Sequence, residues 1–86
     1  MKSDHELKEI ECMLQFLKMS LKYCRDYSII NTMRYLPKEE LVEVNYLAGV
    51  DENGKEYTDN YYINVACDSN AAMIMDVTRR LADRFL

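Results

Sequence analysis

The chain is poor in the residues that make loops and in the residues that make sites. Among 86 residues there are two glycines, one proline and one histidine, so long flexible connections are excluded. A phosphate-cradling loop needs closely spaced glycines that let backbone amides approach an anion; Gly49 and Gly54 stand apart, in or beside a hairpin turn, and nucleotide binding of the usual kinds has no support. The His-Glu-x-x-His spacing of zinc proteases and the Gly-x-Ser-x-Gly nucleophile turn are both missing. Three cysteines, Cys12, Cys24 and Cys67, are widely spaced with no Cys-x-x-Cys pair, which favours reduced thiols over a disulfide framework or a zinc site. No apolar run approaches a membrane span. The polar start Met1-Lys2-Ser3-Asp4-His5-Glu6 is unlike a signal peptide, so a cytoplasmic location is expected.

What is present reads as one soluble domain. The content is 49% hydrophobic and 30% charged, and 86 residues suit a single core but not two. Fifteen acids against eleven bases give a net charge of −4, which argues against a surface built to neutralise nucleic-acid phosphates.

Ser3 and Glu6 have capping-box spacing, so a helix is expected over about 4–24. Leu7, Ile10, Leu14, Leu17, Leu21 and Cys24 recur at intervals of three and four and draw its core stripe. A second apolar row, Cys12, Phe16, Met19 and Tyr23, runs along the same helix, and one sheet cannot easily cover both. Its cover is either the second helix or a second copy of the protein.

Residues 27–36 carry both helical spacing and β-branched or aromatic residues, and the strand register decides for a strand. With Leu36 opposite Leu41 around Pro37-Lys38-Glu39-Glu40, Met33 faces Val44, Tyr35 faces Val42, Ile29 faces Ala48, and Arg34 meets Glu43 as a cross-strand ion pair. Asn53-Gly54 suggests a two-residue type I′ turn, pairing Val50 with Tyr57, Tyr46 with Tyr61, Val44 with Ile63 and Val42 with Val65. Strands are expected over about 27–36, 41–50 and 56–67. Asp68 or Ser69 then caps a helix over about 69–85, whose buried side is Met73, Ile74, Val77, Leu81 and Phe85. The expected fold class is α+β: a two-layer αβββα sandwich, a three-stranded antiparallel meander in order 1-2-3 with two helices on one face, filling 1–86 as one domain.

Candidate chemistry is thin. His5 lies in a first helical turn, and a face shared with Glu9 and Cys12 lacks the convergent ligands of a closed metal site. Cys67 precedes the second helix, but its alternation with Val65 and Ile63 reads as a buried structural thiol. The acids Glu39, Glu40, Glu43, Asp51, Glu52, Glu56 and Asp59 gather at turns and strand ends, where acids are soluble. Of the seven tyrosines, Tyr35, Tyr46, Tyr57 and Tyr61 fall on the inner face or its rim. Tyr62 falls on the outer face with Ile30, Arg34, Glu43, Asn45, Leu47, Asn60 and Asn64, a composition that fits an open sheet or an interface.

In element order the chain resembles the double-stranded RNA-binding domain. That family binds RNA with a lysine cluster at the start of its last helix. The corresponding stretch here is Asp68-Ser69-Asn70-Ala71-Ala72, without a base, so RNA binding is not expected.

The reading that follows is a non-enzymatic interaction or regulatory domain with no cofactor, self-associating as a homodimer. Its candidate interface residues are Cys12, Phe16, Met19 and Tyr23 on the helix and Arg34, Glu43, Asn45, Tyr62 and Asn64 on the sheet. The alternatives are a phage or mobile-element inhibitor that blocks a nucleic-acid-handling enzyme with its acidic hairpin ends, and a small enzyme using Cys67 or clustered carboxylates.

Overall fold

A computed structural model describes residues 2–85. Helix α1 (Asp4–Leu21) begins with the capping box: Glu6 N–H donates to Ser3 Oγ at 3.2 Å, and Ser3 N–H donates to Glu6 Oε1 at 3.1 Å. A single 3-10 turn (Arg25–Tyr27) leads into strands β1 (Ile30–Leu36), β2 (Leu41–Val50) and β3 (Glu56–Asn64), and helix α2 (Asn70–Phe85) closes the chain. The sheet is an antiparallel meander in order β1-β2-β3. Both helices cover one face of it. Ile10 and Leu14 of α1 and Met73, Val77 and Leu81 of α2 share one core with Ile30, Met33, Val42, Val44, Ile63 and Val65. The α+β, αβββα architecture expected from the sequence is therefore present.

The inner face survives although the predicted β2–β3 register does not. Val42 pairs with Ile63, Val44 with Tyr61 and Tyr46 with Asp59, two residues from the expected partners. Two local features account for the shift. The turn has three residues between Asp51 and Lys55 rather than two: Asp51 N–H donates to Lys55 O, Gly54 N–H donates to Asp51 O, and Gly54 alone in it has a positive φ, +81°. A bulge at Ala48 then adds one more residue, between the Leu47–Thr58 and Gly49–Tyr57 pairs. Two single-residue offsets restore the parity, so the same side chains point inward. Tyr57 does not join the core. It is 52% exposed, with its ring lying over Gly49.

In the β1–β2 hairpin the expected pairs hold from Met33–Val44 to Leu36–Leu41, but a bulge at Asn31 brings Ile30 opposite Tyr46. Ile30, expected on the outer face, is thereby buried in the core, and Ile29 gives its carbonyl to Leu47 N–H instead of facing Ala48.

Two other corrections concern cysteines. Helix α1 stops at Leu21, short of 24, so Cys24 leaves the core stripe and is exposed. Strand β3 ends at Asn64, short of 67; the chain turns there through Ala66 N–H to Asn64 Oδ1 and Asp68 N–H to Val65 O. Cys67, with φ +67°, is turned out to solvent rather than buried. The first strand starts at Ile30, not 27, because the 3-10 turn occupies Arg25–Tyr27. No helix among the described residues is long and apolar enough to cross a membrane.

Candidate interaction surfaces

At 100° per residue, the mean direction of Cys12, Phe16 and Met19 lies about 160° from that of Ile10, Leu14, Leu17 and Leu21, and Tyr23, expected to continue the row, lies past the end of α1 at Leu21. Helix α2, packed against the same core, leaves these residues uncovered. Phe16 is 74% exposed, Met19 59% and Tyr23 86%, and Cys12 is exposed beside them. Toward α2 the row opens into a shallow groove of about 500 Å³ lined by Cys12, Met13, Phe16, Leu17, Ser20 and Ile74. Met75, 72% exposed, extends apolar surface on α2. The row was legible from its spacing; the contribution of Ile74 and Met75 was not, because it depends on how closely α2 lies beside α1.

The sheet residues Arg34, Glu43, Asn45, Tyr62 and Asn64 also come together, on the opposite side of the molecule. Register places Arg34 opposite Glu43, Glu43 opposite Tyr62 and Asn45 opposite Asn60. Their polar groups satisfy one another. Arg34 Nη2 donates to Glu43 Oε1 at 3.0 Å. Asn31 Nδ2 donates to Asn45 Oδ1 at 3.1 Å, Asn45 Nδ2 to Asn60 Oδ1 at 2.8 Å, and Asn60 Nδ2 to Tyr62 Oη at 3.4 Å. Asn64 turns to the chain, accepting from Ala66 N–H. Asn31 enters this chain of amides only because it is the bulged residue, which its place in the sequence did not reveal.

A second polar cluster joins the N-terminal segment and α1 to the start of α2. Asn70, 8% exposed, accepts from Lys2 Nζ at 2.9 Å and donates to Glu6 O at 3.2 Å and Glu9 Oε1 at 2.7 Å. Lys2 also donates to the Asp68 carbonyl. Burial pushes the Asp68 carboxyl above its ordinary value, and a contact with the Asp76 carboxyl adds to the rise. Asp76 is held below its usual value as acceptor in that contact and beside Arg79. Asp68 Oδ2 is enclosed without a hydrogen-bond partner.

Comparison with protein-family models, curated proteins and solved structures found no match to this chain. The resemblance to the double-stranded RNA-binding domain is one of element order.

Among the described residues no three His, Cys, Asp or Glu side chains are grouped to hold a metal ion. His5 is exposed in the first turn of α1, and the exposed Cys67 has no histidine near it in the chain. A second groove, about 440 Å³ between α1 and β1, mixes Leu7, Leu14 and Met33 with Glu11, Lys18 and Arg34. Tyr35 at its edge has its hydroxyl pushed above its ordinary value by burial and by the Glu40 charge. That shift works against forming a phenolate, and it leaves Tyr35 suited to a neutral hydrogen bond.

Proposed function

We propose that this protein is a non-enzymatic interaction domain that works as an assembled pair, docking through the outer row of α1. The observation that carries this reading is the contrast between its two candidate surfaces. On the sheet, a partner would have to displace hydrogen bonds already made between neighbours. On α1, Phe16, Met19 and Tyr23 stand in water with no polar function of their own beyond one hydroxyl, and covering them releases the solvent they order. A row of large apolar side chains 160° from the core is of no use to the monomer's packing, whereas buried aromatic and methionine anchors are what interfaces are built around.

Light scattering across a concentration series tests the proposal. The chain is expected at twice its 10.2 kDa mass when concentrated. A Phe16→Glu, Tyr23→Glu double variant, folded by circular dichroism, is expected to stay at the monomer mass. A wild-type monomer at every concentration would remove the proposal.

A further inference from the structure

We infer that the occupant of the outer row is a second copy of this chain, with its α1 antiparallel and Phe16 of each copy against Met19 of the other; this rests on the self-association proposed above. Cys12, Phe16, Met19 and Tyr23 are spaced four, three and four, the alternation of a two-helix seam. The row has its midpoint between Phe16 and Met19, so a two-fold axis there sets Phe16 on Met19 of the second copy and turns Cys12 toward the chain that leaves the end of its α1 at Tyr23.

Charge selects the direction. Between residues 4 and 11 α1 carries four carboxylates and one lysine, and between residues 12 and 25 the chain carries three cations and no acid. A parallel pair would put like charges together along its whole length. In an antiparallel pair about that axis, a residue i lies abreast of 35 − i, so the like charges separate and Lys22, just past the end of α1, approaches Glu11, the last acid of the other copy's helix. Glu11 and Lys22 are exposed on the same flank of the row. Neither takes part in the ion pairs found among the described residues. About the two-fold axis, Lys22 of one copy comes abreast of Glu11 and Gln15 of the other, and the contact occurs twice.

The area is sufficient. If a fully exposed side chain of this size offers about 200 Å², Phe16, Met19 and Tyr23 leave roughly 440 Å² in water per copy. Cys12, Met13, Ser20 and the aliphatic stem of Lys22 lie beside them. The pair then reaches the ~1,000 Å² that separates specific contacts from casual ones, at the low end of the range.

A charge-swap cycle read by sedimentation equilibrium tests the arrangement. Glu11→Lys and Lys22→Glu are each expected to weaken dimerisation about fivefold. The double variant is expected to recover to within about twofold of wild type, because each reversed pair is again of opposite sign. Bismaleimide cross-linking in a Cys24→Ser, Cys67→Ser background gives a second reading. The two Cys12 residues of the antiparallel pair are about 16 Å apart along the axis, so a short bismaleimide is expected to leave the dimer unjoined, whereas a parallel pair sets the two Cys12 residues abreast and would be joined. A dimer whose swap variants do not compensate, or that is joined through Cys12 alone, would overturn the antiparallel pairing while leaving self-association standing. A monomer throughout would remove both.

Discussion

Replacing Asn70 by alanine should loosen the fold more than any other single polar change, and the size of the effect can be worked from its contacts. The side chain ties the N-terminal segment, the first half of α1 and the start of α2 through three hydrogen bonds, two of them to the charged groups of Lys2 and Glu9. A net value of about 1 kcal/mol applies to a neutral bond and somewhat more to a charged one. Lys2 and Glu9 regain water when released, which returns part of that, and alanine is the better helix former, which returns a few tenths more. The expected loss is therefore about 2 kcal/mol, or a fall in Tm of roughly 10 °C for a domain of this size. Urea unfolding followed by circular dichroism measures it directly. A double-mutant cycle with Glu9→Ala isolates the 2.7 Å bond and should give a coupling of about 1 kcal/mol. A loss below about 0.5 kcal/mol, or a Glu9→Ala cost that is the same with and without Asn70, would refute the account of this tie.

Three further outcomes are expected. Asp68→Asn should raise Tm at neutral pH. The raised carboxyl costs stability once pH climbs through its folded value, and an amide ends the conflict with Asp76, so the gain should disappear in acid, where Asp68 is protonated in both states. Ser3→Ala should cost about 1 kcal/mol through the lost cap. The Glu6 carboxyl is held below its ordinary value chiefly by the Ser3 backbone N–H and then by the Ser3 hydroxyl, so an NMR titration in that variant should show it moving up. In wild type this contribution is present at neutral pH and is lost as pH falls through the depressed value. Gly54→Ala should cost about 1 kcal/mol because φ there is positive, whereas Asn53→Ala should stay within about 0.5 kcal/mol. Equal costs at the two positions in urea unfolding would point to the two-residue turn instead.

These outcomes separate what the residues declare from what only packing decides. The α1 cap, both helices, the three strands and the inner face were legible, because each rests on a period or a short spacing that many residues repeat. Ile30, Asn31 and the β2–β3 partners were not. A bulge is one extra residue, and the alternation of Val42, Val44 and Tyr46 is the same whether Ile63 or Val65 lies opposite Val42. Cys24 and Cys67 continued patterns past the points where α1 and β3 end, and nothing in a repeating pattern states where it stops. The outer row on α1 was visible as a surplus of apolar residues, but its lack of cover depended on where α2 came to lie. Asn70 was overlooked because a polar residue at a helix start ordinarily reads as a cap, and its partners are more than 60 residues away.

The claim that the outer row is a contact surface is tested most directly by methyl NMR on the chain's own methionines. Met19 stands in the row, while Met33 and Met73 are buried in the core. On dilution from millimolar to low-micromolar concentration, the Met19 methyl signal should shift along a single binding curve, and the Met33 and Met73 signals should stay in place. A Met19 signal that does not change with concentration would contradict the account.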